Sequence, residues 1–83
     1  MFSIRVRRRH KIFEKIKDLQ LETQDLMRER HKIEKEINKI VNENTYLSEE
    51  NAIKVEELRA KLGTYDTRIN EIDEDIEKLE RKL

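Results

Sequence analysis

The chain has 83 residues, enough for one small domain at most, and its 19 basic and 19 acidic residues give a net charge of zero. Charged residues make up 46% of the sequence and hydrophobic residues 35%, which is too little apolar volume for a compact globular core. The lack of cysteine excludes disulfides and thiol chemistry. The lack of proline, the single glycine and the regular spacing of apolar residues argue against disorder and are typical of coiled coils.

The charge is unevenly distributed, with +6 in residues 1–17 and −6 in residues 18–83. Residues 1–11 form a basic N-terminal segment. Clustered cations of this kind can bind the phosphates of nucleic acid, but a solvated segment attracted to the acidic carboxyl end is the simpler interpretation. The candidate polyanion contacts are Arg5, Arg7, Arg8, Arg9, Lys11, Lys15 and Lys17.

No apolar run approaches the ~20 residues of a transmembrane helix, and no apolar stretch follows the basic start as in a secretory signal. The acid-poor start resembles a mitochondrial presequence but lacks its Ser-rich continuation. We therefore expect a cytoplasmic protein, or a nuclear one if the source is eukaryotic. Mitochondrial targeting is the weaker alternative, and we do not expect binding to a membrane surface.

Residues 12–83 are predicted to form a single coiled-coil domain, because apolar residues recur at alternating spacings of four and three. A first series predicts a helix over about residues 8–43. A second series, in a different heptad frame, predicts a helix over about residues 49–83 and continues through Gly63. The predicted packing residues are Ile12, Ile16, Leu19, Leu26, Ile33, Ile37 and Ile40 in the first series, and Val55, Leu58, Leu62, Tyr65, Ile69, Ile72, Ile76 and Leu79 in the second.

Two structures explain the change of frame. One continuous helix could carry a stutter near residues 47–58, with Asn44 and Asn51 at core positions that favour a parallel dimer. Alternatively, a turn over about residues 44–50 joins two helices, with Ser48 as the N-cap of the second and two acids in its first turn.

Charge favours the turn. Folding the chain back so that the numbers of facing core residues sum to 95 pairs Ile40 with Val55 and Ile16 with Leu79. Parallel chains in register would instead place their basic starts together. The antiparallel arrangement predicts three attractive flanking pairs, Glu43–Lys54, Glu36–Lys61 and Glu29–Arg68, and two unfavourable ones, Glu22–Asp75 and Lys15–Lys82.

We therefore expect an all-α protein, an antiparallel two-helix hairpin that self-associates. The alternative is one long continuous helix in a parallel or antiparallel dimeric coiled coil. Phe13, Met27 and Val41, spaced fourteen residues apart, widen the apolar stripe of the first helix. They either pad the edge of the seam or form a second interface for a four-helix dimer or a partner's helix.

No residue pattern points to catalysis or to a cofactor. His31 and Glu34 have the spacing of a metal-binding pair, but the predicted core offers no facing carboxylates, so we expect no metal site. Arg30, at a core position, is expected to lie against Tyr65. The sequence favours a non-enzymatic interaction module that binds itself, as a dimer, or a partner helix. The alternative is a small dimeric nucleic-acid-binding regulator that uses the basic N-terminal segment.

Overall fold

The structure, a computed structural model, describes residues 4–43 and 46–83, with side chains from Val6 onward. Helix α1 spans Ile4–Glu43 and helix α2 spans Glu49–Glu80. The helices contact each other in antiparallel orientation and form a hairpin that extends 68 × 16 × 13 Å. The antiparallel two-helix hairpin is confirmed, and the part of the chain that the structure describes contains no strand.

The helices are separated by a turn, as the change of heptad frame indicates. Ser48 has an extended backbone, and its hydroxyl oxygen accepts a hydrogen bond from the backbone N–H of Asn51 at 3.2 Å. Glu49 and Glu50 occupy the first turn of α2, where carboxylates interact favourably with the helix dipole. The sequence allows Asn44 to be either a core residue or part of the turn, and Asn44 lies outside the described residues.

The helix bounds differ from the predicted ones at both outer ends. Helix α1 begins at Ile4 rather than near residue 8, because the basic segment contains no residue that breaks a helix. Helix α2 ends at Glu80 rather than at the last residue. Beyond it, the N–H groups of Lys82 and Leu83 donate to carbonyls three residues earlier, at 3.1 Å each, which tightens the end of the helix.

The two apolar series face each other along the hairpin and form its only extended seam among the described residues. All fifteen predicted packing residues are buried or half-buried. Only Ile72 has no exposed surface, because two helices cannot cover both edges of the seam between them. The buried members are Ile12, Ile16, Ile33, Ile37, Val55, Ile69 and Ile72.

The largest buried cluster lies near the turn. Ile33, Ile37 and Val55 form its centre. These residues come from layers that the antiparallel alignment brings together, such as Ile40 with Val55. The half-buried residues around them are Ile40, Leu58, Leu62 and Tyr65.

Candidate interaction surface

The seam has two edges, which we name the e side and the g side after the heptad positions that flank it. The e side carries Met27 and Glu34 of α1 beside Asp66 of α2. The g side carries Glu22 of α1 beside Arg68 of α2. The two sides differ in chemistry, because apolar residues recur only on the e side of α1.

Phe13, Met27 and Val41 form an exposed apolar stripe on the e side of α1. Their side chains remain 56%, 55% and 40% exposed. Residues that only padded the seam would lie against it and lose most of their surface. The hairpin therefore leaves this predicted second interface largely uncovered.

Arg30 connects the two helices on the e side. Its Nε donates to Asp66 Oδ1 at 2.7 Å, and its Nη1 donates to Glu34 on its own helix. The hydrogen bond to Asp66 raises the pKa of Arg30, against a smaller opposing effect of desolvation, and Glu34 raises it further. The guanidinium reaches past the seam to these carboxylates, and contact of the Arg30 side chain with Tyr65 stays a prediction.

These ion pairs also involve Glu34, which has the spacing of a metal-binding pair with His31. His31 lies beside Met27, Glu34 and Asp66 in a shallow groove. Both carboxylates there are already hydrogen-bonded to Arg30. Within residues 4–43 and 46–83, no group of three or more potential ligands converges on one point.

Arg68 connects the helices on the g side, but not to its predicted partner. Its Nη2 and Nε donate to the two carboxylate oxygens of Glu22 at 2.9 and 3.2 Å, and this bond raises the pKa of Arg68. The predicted pairing with Glu29 is wrong, since Glu29 binds Lys32 on its own helix at 3.2 Å. By pairing with Glu22, Arg68 offsets the repulsion expected between Glu22 and Asp75.

The other two pairs predicted on the g side do not form ion pairs among the described side chains. Among the described side chains, neither Glu36 with Lys61 nor Glu43 with Lys54 forms an ion pair within 4 Å. Long exposed side chains gain little from such contacts and lose conformational entropy in making them. The helices are therefore joined mainly by the apolar seam.

Residues 4–11 of the basic N-terminal segment lie on α1, and the described side chains from Val6 to Lys11 are exposed. Arg9 donates from Nη2 to the backbone carbonyl of Leu83 at 3.3 Å, and His10 pairs with Glu14 at 3.1 Å. Of the predicted attraction to the acidic carboxyl end, the described side chains show this one bond, to a main-chain oxygen rather than to an acidic side chain. The side chain of Arg5 lies outside the described part. The remaining candidate polyanion contacts are exposed and form no ion pair within it, namely Arg7, Arg8, Lys11, Lys15 and Lys17.

Sequence reasoning missed several exposed apolar side chains. Leu21 and Ile53 are 49% and 52% exposed at outer heptad positions, where an apolar residue is itself the signal. Val6, 47% exposed and seven residues before Phe13, extends the apolar stripe by one heptad. Tyr46 and Leu47 are exposed near the turn.

The geometry offers surfaces for contact with other molecules rather than an enclosed site. No described helix has a stretch long and apolar enough to cross a membrane. Comparison of the chain with protein-family models, with curated proteins and with solved structures finds no match to any of them.

Proposed function

We propose that this chain is a non-enzymatic helical interaction module that assembles through coiled-coil packing, either with copies of itself or with a partner protein's helix. The observation that carries the proposal is the apolar stripe of Phe13, Met27 and Val41, exposed beside a seam that is only partly dehydrated. Covering each half-exposed side chain is worth roughly 1 kcal/mol, and covering the adjacent edge of the seam adds to this.

The polar groups near the seam suit a structural role. Arg30 and Arg68 each hold carboxylates from both helices. These ion pairs favour the antiparallel orientation, and those of Arg30 place fixed charges beside the apolar stripe. Fixed charges beside an apolar stripe select a partner by repelling helices with the wrong pattern.

The test places a charge on the stripe. We expect Met27→Glu to weaken association at least tenfold while helix content by circular dichroism stays at the parent level, because Met27 is 55% exposed in the hairpin. The matched control is Leu21→Glu, which is 49% exposed on the same helix but off the stripe, and which should associate like the parent.

Two readouts cover both kinds of partner. Light scattering measures self-association, and immobilised chain measures retention of proteins from an extract of the source cells. If Met27→Glu and Leu21→Glu match the parent in both readouts, the stripe is not an interaction surface and the proposal fails.

A second candidate function, a small nucleic-acid-binding regulator, is favoured by the unpaired cations of α1. Arg7, Arg8, Lys11, Lys15 and Lys17 project from its first four turns without a carboxylate partner among the described side chains. Such cations would release counterions from a phosphate backbone, so binding to duplex or single-stranded nucleic acid should weaken steeply with salt. Changing Arg7, Arg8 and Arg9 to Glu should abolish that binding, and its persistence would contradict this candidate.

A further inference from the structure

We infer that the apolar stripe is covered by a second copy of this chain, packed antiparallel so that α1 lies against α1 around a two-fold axis at Met27. This inference rests on the proposed function and names its partner. The occupant, the orientation and the axis each follow from the positions of side chains along α1.

The spacing of the stripe is self-complementary. Phe13 and Val41 each lie fourteen residues from Met27. When two antiparallel copies of α1 are aligned at Met27, Phe13 comes level with Val41 of the second copy and Met27 meets Met27. A two-fold interface requires this property, because the same patch must match itself. The three contacts would span ~42 Å along a hairpin 68 Å long.

The charges on the stripe favour the antiparallel orientation. Over residues 10–41, the heptad positions b and e that form the face with the stripe carry one Lys, Lys17, and one Glu, Glu34, which also pairs with Arg30 of its own helix. The antiparallel alignment brings Lys17 within three residues, ~4.5 Å along the axis, of Glu34 of the second copy, twice by symmetry. A parallel alignment in register would instead place Lys17 beside Lys17 and Glu34 beside Glu34, which is unfavourable.

The ends of the hairpin are also complementary. The alignment brings the first turns of α1, with the unpaired Arg7, Arg8 and Lys11, level with the turn region of the second copy. That region carries Glu43 and Glu49. Arg8 and Lys11 lie at g and c positions, away from the e side, so the oppositely charged ends attract each other over a distance rather than through direct ion pairs.

The same two-fold rotation also places α2 beside α2 of the second copy. It brings Arg59 near Glu80 of the second copy, an attractive pair on each side of the axis. It also brings Asp73 near Asp66, which Arg30 holds at 2.7 Å together with Glu34, and it brings Glu56 level with Glu80 of the second copy. The acids of α2 therefore add repulsion, which the apolar cover on α1 has to outweigh.

The amount of core in one hairpin is a further argument for a second copy. Among the residues whose side chains the structure describes, seven are buried, and of these Ile72 alone is completely so. A chain of this size with so little buried surface usually needs a further contact for stability. A second copy on the e side would complete a four-helix arrangement, in which half-buried seam residues at that edge, such as Ile76 beside Gln20 and Asp73, are covered on one more side.

The test is oriented crosslinking of the full chain, which has no native cysteine. Single variants Phe13→Cys, Met27→Cys and Val41→Cys are treated with a bismaleimide that spans about 10 Å, the separation of packed helices. We expect Met27→Cys to crosslink to itself. Phe13→Cys and Val41→Cys should crosslink only when mixed, because two copies of residue 13 would lie ~42 Å apart.

Three further variants serve as controls. A mixture of Gln20→Cys with Glu34→Cys should crosslink, since these positions are also level with each other. Leu21→Cys, exposed but off the stripe, should not. Circular dichroism of each variant confirms that the hairpin is intact.

Self-crosslinking of Phe13→Cys and Val41→Cys would show a parallel dimer and overturn the inference. It is also overturned if Met27→Cys yields no more product than Leu21→Cys, or if the parent is monomeric by light scattering. In the last case, loss of partner capture by Met27→Glu would still support the proposed interaction module, so the two failures are distinguishable.

Discussion

Arg30 and Arg68 show what single side chains contribute to this hairpin. Each guanidinium joins a carboxylate of the facing helix to one on its own, and these bonds raise both arginine pKa values. As far as the arginines are concerned, the resulting contribution to stability is fully present below the ordinary arginine pKa and is lost as the pH rises through the raised value. It also requires the partner carboxylates to be ionised. Exposed pairs of this kind select an orientation more than they stabilise it.

Gly63 provides a prediction at the residue scale. It lies inside α2, and a Cβ atom built there meets nothing within 4 Å. Gly63→Ala should therefore stabilise the chain by ~0.5–1 kcal/mol, because alanine has less conformational freedom to lose on folding. Urea unfolding followed by circular dichroism measures this, with the exposed Ala60→Gly on the same helix as the reverse change. A loss of stability in Gly63→Ala would mean that another helix lies closer to this face than the hairpin alone shows.

At the scale of elements, the seam and the second helix start could be predicted, and the first helix start could not. The apolar rhythm depends only on residue type and spacing, so it located both helices. Ser48, Glu49 and Glu50 form a local cap that is readable without tertiary contacts. The start of α1 carries no such signal, since its first turn contains no acid. Where a helix begins in a charged segment depends on propensity alone, which is a weak guide.

Substitution of Ile72 tests whether the two helices pack through the predicted seam. Its side chain has no exposed surface, so Ile72→Ala should remove ~2–5 kcal/mol from the free energy of unfolding. Ile76→Ala, half-buried in the next layer, should cost less. Glu74→Ala, exposed on the same helix, should change stability by no more than ~0.5 kcal/mol. Thermal unfolding at one protein concentration ranks the three variants by stability. An Ile72→Ala variant that melts at the same temperature as the parent would show that Ile72 does not lie at the centre of the seam.

The candidate surface was predictable in part, for a physical reason. The fourteen-residue spacing of Phe13, Met27 and Val41 was visible in the sequence, but whether they pad the seam or face solvent depends on how the two helices are rotated against each other. The partner of Arg68 was missed for a similar reason. Glu22 and Glu29 lie one heptad apart on the same edge, and side-chain reach decides between them.

At the scale of the whole molecule, the described residues combine a seam that is only partly buried with an exposed apolar stripe beside it. The seam holds α1 and α2 together, the ion pairs set their direction, and the apolar stripe remains beside them. This distribution relates the fold to the proposed function, because the surface that would stabilise the chain is also the surface that would bind. Stability should therefore rise with protein concentration, as it does when folding and assembly are linked.

The most direct test of this account is the mass and shape of the parent chain in solution, by light scattering together with small-angle scattering. We expect a mass of twice the 10.2 kDa of one chain and a maximum dimension close to the 68 Å length of one hairpin, since two antiparallel hairpins lie side by side. A continuous helix over residues 12–83 would be ~108 Å long. A maximum dimension above ~90 Å would contradict side-by-side hairpins. A mass of one chain at all concentrations would contradict self-association.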